Sequence, residues 1–314
     1  MVEGGYPAEE KMKLLFNFLI FPGLLFSATI GLVAGWVDRK VTARLQWRVG
    51  PPWYQNFVDI VKLWGKETIV PEGARRTFLL APYVGFLSLA LVATILGRAL
   101  LWPQEGFSAD LIVIFYLLAI PAISVIMGAS SSRNPLASVG ASREMKLLLS
   151  YELPFILSLV AIIIKSGGTI RLGEVLNYQA VNKSHIASLS GMLAFMVAVF
   201  CALGKLCIGP FEISEAEQEI MSGALIEYSG LPLAMFKLTK ALLLYVMPLF
   251  LMVLFLGRDL SPIFVVLKFI MILVIFILVK NTNPRLRIDQ AMRFFWIYMV
   301  IHAVAAVILT ILGL

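Results

Sequence analysis

Between Pro210 and Gly230 the chain reads PFEISEAEQEIMSGALIEYSG, so that Glu212, Glu215, Glu217, Glu219 and Glu227 are five of its 19 acidic residues. Apolar runs flank the segment on both sides, which places these carboxyls at or near membrane depth. A charged side chain there costs about 2.5–3.5 kcal/mol on insertion scales. Desolvation and acidic neighbours hold such a carboxyl near neutrality, where it can take up and release a proton. On a helix running from Glu212, positions 212, 215 and 219 share one face while 217 points elsewhere. Like charges at i,i+4 repel, so Glu215 and Glu219 are not expected to be ionised together in a dry site. The plainer alternative is a solvated loop whose glutamates pair with Lys205, Lys237 and Arg143.

Further charges fall close to membrane depth. Glu152 follows Ser150-Tyr151, and Glu144 lies eight residues earlier on the same stretch. Lys240 and Lys268 interrupt apolar runs, and Asp289 precedes the last one. An isolated lysine such as Lys268 can also snorkel to the interface. Pro121, Pro154 and Pro248 interrupt apolar runs, either opening them for water and side chains or kinking them.

The elements that must position these groups follow from composition. The chain of 314 residues is 60% hydrophobic and 14% charged, whereas a soluble domain carries about a quarter charged residues. The fold class is therefore all-α, one polytopic membrane domain spanning residues 1–314. A spanning helix needs about 20 mostly apolar residues. Eight segments qualify, at roughly 14–36, 78–101, 110–131, 147–165, 188–209, 237–257, 262–280 and 291–313. The polar remainder includes a first loop at 37–77 and the acidic loop at 210–236. Cys201 and Cys207 are six apart, off the face that would pair them, and read as buried thiols. With no CxxC pair and with His185 and His302 far apart, no iron–sulfur, haem or zinc site is expected. The charged N-terminus does not resemble a cleaved signal peptide.

Basic residues set the orientation. Lys11, Lys13, Arg98, Lys165, Arg171, Lys183, Arg258 and Lys268 fall on one side, leaving 18 of the 26 on the other. The positive-inside rule makes the richer side cytoplasmic and puts both termini outside. The acidic loop is then cytoplasmic, and so is the first loop. In that first loop Trp53, Phe57, Ile60, Val61 and Trp64 recur at helical spacing, with Asp59, Lys62 and Lys66 off the apolar face. Such a helix lies on lipid headgroups or serves as a platform for a cytoplasmic partner. The rigid turn at Gly50-Pro51-Pro52 favours the platform.

These residues resemble the H-type membrane subunit of NADH:quinone oxidoreductase (complex I) and its relatives in energy-converting hydrogenases. The resemblance runs through Asp38-Arg39-Lys40, Arg48-Val49-Gly50-Pro51, Asp59-Ile60-Val61-Lys62, Leu80-Ala81-Pro82 and Ser131-Ser132-Arg133-Asn134. It continues with Gly140-Ala141, Leu149-Ser150-Tyr151-Glu152, Glu215-Ala216-Glu217-Gln218-Glu219, Glu227-Tyr228-Ser229-Gly230, Pro284-Arg285 and Asp289-Gln290. Two departures set this chain apart from quinone-reducing members. Pro52-Trp53-Tyr54-Gln55 replaces the residues that follow Gly-Pro there, and Lys240 stands where those members carry a glutamate. Both changes look like the membrane-bound [NiFe] hydrogenase branch, whose architecture a membrane-bound sulfur reductase shares.

The resemblance implies a coupling subunit without a redox or catalytic centre of its own. Iron–sulfur clusters and the [NiFe] centre would reside in partners: hydrogenase-like large and small subunits and an iron–sulfur subunit on the cytoplasmic side. Antiporter-like subunits and lipid would surround it in the plasma membrane, and no nucleic acid is implied. Glu212, Glu215, Glu217, Glu219, Glu227, Glu144, Glu152, Lys240 and Asp289 would carry proton or ion coupling. Arg39, Lys40, Arg44, Arg48, Gly50, Pro51, Asp59 and Lys62 would dock the cytoplasmic module. A stand-alone transporter would show an inverted repeat with paired broken helices, and the acidic loop has no counterpart in the first half. A passive scaffold would use the same charges to bind neighbours.

Overall fold

In lipid an unpaired backbone group has no partner, so the apolar stretches satisfy their own amides and carbonyls as helices. The computed structural model describes residues 8–105 and 109–313. In chain order it gives α1 (Ala8–Leu19), α2 (Leu24–Leu45), α3 (Gln55–Trp64), α4 (Arg76–Leu101), α5 (Asp110–Leu117) and α6 (Ile120–Ser131). There follow α7 (Pro135–Lys165), α8 (Leu172–Val181), α9 (Leu189–Leu206) and α10 (Glu217–Ile220). The last are α11 (Gly230–Phe255), α12 (Pro262–Thr282), α13 (Ile288–Arg293) and α14 (Val300–Ile311). Eight helical stretches among the described residues are long and apolar enough to span a membrane, and the chain is a multi-pass membrane protein.

Three stretches outrun their apolar windows. Helix α2 continues to Leu45, nine residues past the expected end at 36, so Arg39, Lys40 and Arg44 ride on it rather than on the first loop. Asn134 caps α7 by accepting from the amide of Leu136 at 2.8 Å, so that helix starts well before the apolar run at 147 and carries Arg143 and Glu144 within it. Gly230, at φ +55°, begins α11 seven residues ahead of Lys237. The third span is broken at 118–119. Pro121 lacks an amide and crowds the carbonyl four residues earlier, which is Leu117, where α5 ends.

The core gathers on α11. Of its most apolar window 89% is buried, against 22% for α12 and for the last span. Around it pack α2, α3, α4, α9 and α12. The last span opens through a π-helical stretch, Phe294–Met299, that brings Phe294 and Phe295 onto Phe211 at ring distances of 5.6 and 4.7 Å.

Loops at one end of the bundle are stitched together over long sequence distances. Tyr228 stacks on Phe78 at 4.2 Å and donates its hydroxyl to the Phe78 carbonyl at 2.9 Å. Ser229 Oγ accepts the amide of Ile69 at 2.9 Å. A Cβ at Gly230 would lie 2.7 Å from the Glu67 carbonyl, and one at Gly140 would lie 2.4 Å from the Ala224 amide. The Glu-Tyr-Ser-Gly and Gly-Ala motifs thus close this end of the bundle.

The first-loop helix α3 buries Ile60 and Leu63 and half-buries Phe57, packing against α11. Trp53, Val61 and Trp64, read from the sequence as part of the same face, remain 63%, 65% and 58% exposed. The apolar face of α3 is thus only partly covered by the bundle, and Val61 and Trp64 on it remain exposed.

Candidate functional site

The acidic segment is not the helix that its spacing suggested. Between Cys207 and Ser229 only α10 and a single turn at Gly223–Leu225 are helical, because Met221, Ser222 and Gly223 all take positive φ. Glu215 and Glu219 consequently do not share a face. Glu219 is exposed and receives Arg143 Nη1 at 2.7 Å, which holds its carboxyl below the ordinary carboxylate value. Glu215 is largely buried and pairs directly with Lys240 of α11. Lys240 reaches it because α11 passes through the centre of the bundle, under the loop.

Glu144, in the third turn of α7, is 3% exposed. The Sγ of Cys207 donates to its Oε2 at 3.0 Å and contacts Ser214 Oγ at 3.4 Å. Burial pushes the Cys207 thiol up, so it is a neutral donor and Glu144 accepts. Cys207 ends α9 in the left-handed conformation, φ +48°, which turns the chain into the acidic loop.

Two cavities meet at these residues. The outer one, about 330 Å³, is lined by Asp38, Arg39, Asp59, Glu212, Lys237 and Lys280, and also by Cys207 and Lys240. Within it Lys280 donates to Asp38 at 2.7 Å, tying α12 to α2. The inner one, about 40 Å³, is lined by Glu144, Lys205, Glu215 and Thr239, again with Cys207 and Lys240. A cavity of that size, with polar side chains on its wall, has room for a water molecule. Leu206, Cys207 and Lys240 line both and form the wall between them. The chemistry available is proton exchange between carboxyls and amines, from a charged outer cavity to a smaller inner one.

The other expected residues are placed as follows. Glu152 is half-buried on α7, close enough to act electrostatically on Lys205. Glu227 accepts from Asn134 Nδ2 at 2.5 Å and lines neither cavity. Asp289 is exposed in the first turn of α13, also lining neither. The side chain of Glu217 lies outside the described residues. Lys268 donates to the carbonyls of Leu256 and Asp259 at 2.8 and 2.7 Å, satisfying the C-terminal end of α11. Sequence reasoning passed over Asp38, Cys207 and Ser214 as members of the cluster; Lys205, expected to pair with glutamates of a solvated loop, instead lines the inner cavity and makes no hydrogen bond to a described residue.

At the first loop, Arg39 Nη1 donates to Asn56 at 2.8 Å and lies 3.7 Å from Asp59, so both fasten α2 to α3. Pro51 accepts the indole of Trp36 at 3.2 Å. Gly50, at φ +73°, lets the chain turn over Lys40 and Ala43, 3.1 and 3.0 Å from where a Cβ would stand. Arg44, Arg48 and Lys62 are exposed, as is Trp47 at 96%.

A family profile described as NADH dehydrogenase matches residues 18–311. The H-type membrane subunit of NADH-quinone oxidoreductase from Bacillus cytotoxicus is 31% identical over 94% of this chain and 94% of its own length. Its counterpart from Dehalococcoides mccartyi strain 195 is 31% identical over 95% of this chain and 84% of its own. Among solved structures, a chain of the membrane-bound sulfane sulfur reductase, an archaeal respiratory membrane complex, superposes with a TM-score of 0.85 at 28% identity. That match covers 95% of this chain and 99% of the other.

Proposed function

The chain belongs to the NADH dehydrogenase family of membrane subunits, which includes the H-type subunit of NADH-quinone oxidoreductase, and from this we propose that it is the coupling subunit of a respiratory membrane complex. It links electron transfer in a docked cytoplasmic module to proton or sodium translocation. The observation that carries the reading is the joint wall of the two cavities, where Glu215 pairs with Lys240 and Cys207 bonds Glu144. A change of charge or geometry in the outer cavity acts there on groups that exchange protons with the inner one.

Residues then divide by role. Glu144, Glu215 and Lys240 exchange the proton, with Glu212 at the mouth and Glu152 further along α7. Glu219 and Glu227 hold the loop through Arg143 and Asn134. Arg44, Arg48 and Lys62, with the exposed part of the apolar face of α3, receive the module, and the segments that carry them face the cytoplasm with both termini outside. The module is of the [NiFe] hydrogenase type, with hydrogenase-like large and small subunits and an iron–sulfur subunit, and antiporter-like subunits adjoin in the plane of the membrane. Lys240 and Pro52 favour this branch over a quinone-reducing one. A sulfur-reducing module is the second reading, favoured by the likeness to the sulfane sulfur reductase chain.

The test is gentle detergent purification of the tagged chain, with partners identified by mass spectrometry and assayed. Co-isolation of a [NiFe] module that evolves hydrogen supports the first reading. A module inert toward protons and active on polysulfide supports the second. A chain isolated alone contradicts both.

A further inference from the structure

Lys205 stands in the last turn of α9, 5% exposed, and its Nζ has no hydrogen-bond partner among the described residues. A buried ammonium without partners is costly, and such a group persists in a membrane protein where it has work to do. Three aromatic rings surround it instead. Its Nζ lies 4.8 Å from the centre of the Tyr151 ring, 5.3 Å from that of Phe155 and 5.6 Å from that of Phe115. Ring faces attract a cation without accepting its protons. Gly204 makes the room: a Cβ there would lie 2.9 Å from the Tyr151 ring and 3.1 Å from Phe295. The Tyr151 hydroxyl, fully buried, likewise lacks a partner among the described residues.

The same side chain lines the inner cavity with Glu144, Glu215 and Lys240. Besides those residues, Glu152 and Cys201 are near enough to act on its charge. We infer that Lys205 is the proton acceptor at the inner end of the cluster, an inference that rests on the proposed coupling role. A proton leaves the carboxyl of Glu144 through cavity water and an N–H bond forms at Nζ, so that acid and amine become carboxylate and ammonium. The ammonium so formed is held by the three rings. The amine is regenerated when an N–H bond breaks and the proton passes to the carboxylate of Glu152, which is near enough to act on Lys205, so Lys205 must be able to exist in both states.

The test compares Lys205→Arg and Lys205→Met in the intact complex, reconstituted in liposomes, with Glu144→Gln run in parallel. Arginine keeps length and charge but does not deprotonate, so it separates proton transfer from charge alone. The expected result is electron transfer near the wild-type rate with ions moved per electron at least tenfold lower in both lysine variants. Wild-type coupling in Lys205→Arg would overturn the proposal. If Lys205→Met fails to assemble, the arginine variant decides; failure of both to assemble counts against a carrier role and for a structural one. Coupling lost in Glu144→Gln but kept in Lys205→Arg overturns this inference alone. Coupling kept in both overturns the coupling site itself.

Discussion

Lys240 and Glu215 form an ion pair across the junction of the outer and inner cavities, joining the central helix to the acidic loop. The lysine is 43% exposed and the glutamate 16%, so the pair lies between a solvated contact and a dry one. Removing either partner is expected to cost about 1–3 kcal/mol. Glu215→Gln combined with Lys240→Met should recover part of that loss in thermal unfolding while ion movement stays absent. A double variant that restores coupling would show that the charges are structural.

Glu227 is expected to be replaceable by glutamine. Its Oε1 accepts from Asn134, and an amide oxygen can accept the same bond. Glu227→Gln should therefore assemble and pump near the wild-type level. Asn134→Ala should fall short in assembly on a native gel, because it removes the cap of α7 as well, at a cost of about 1 kcal/mol or more.

The Arg143–Glu219 pair is exposed, and its contribution is expected to be small and salt-sensitive. Because the carboxyl is held below its ordinary value of 4.5, the contribution is fully present above that value. It is lost as pH falls through the lower folded value. Hydrogen exchange of residues 213–220 should rise as pH falls below 4.5 or in molar salt. Exchange that is flat across that range would remove the pair from any role in ordering the loop.

At the opposite end, His185 is fully buried, with Nε2 3.1 Å from Ser166 Oγ and its ring stacked on Tyr178. Burial, assisted by Lys165, lowers its pKa from 6.5 to about 4. The folded state binds the proton less readily than the unfolded one. Stability is full above about pH 6.5 and falls as pH drops toward 4, by a total of about 3 kcal/mol. His185→Gln should flatten that pH dependence of the unfolding temperature; an unchanged slope would assign the acid sensitivity elsewhere.

Much of this was legible in the sequence. Apolar run length marks all eight spans, since hydrocarbon thickness dictates it. The Glu-rich segment announced itself because carboxyls are scarce in such a chain. Its local form was not legible: helical spacing brought Glu212, Glu215 and Glu219 together, whereas three consecutive positive-φ residues after α10 break the segment. Likewise the periodicity of α3 could not say how much of its apolar face the bundle would cover. Contacts such as Lys280 with Asp38, 242 residues apart, and Cys207 with Glu144 depend on packing of distant helices. No spacing rule encodes them.

The most direct measurement is the number of ions moved per electron by the reconstituted complex carrying Glu215→Gln, set against Glu219→Gln. The account predicts that the first variant loses coupling by at least tenfold while electrons still flow, and that the second stays within about twofold of the wild type. Equal behaviour of the two variants, both coupled or both uncoupled, would contradict it.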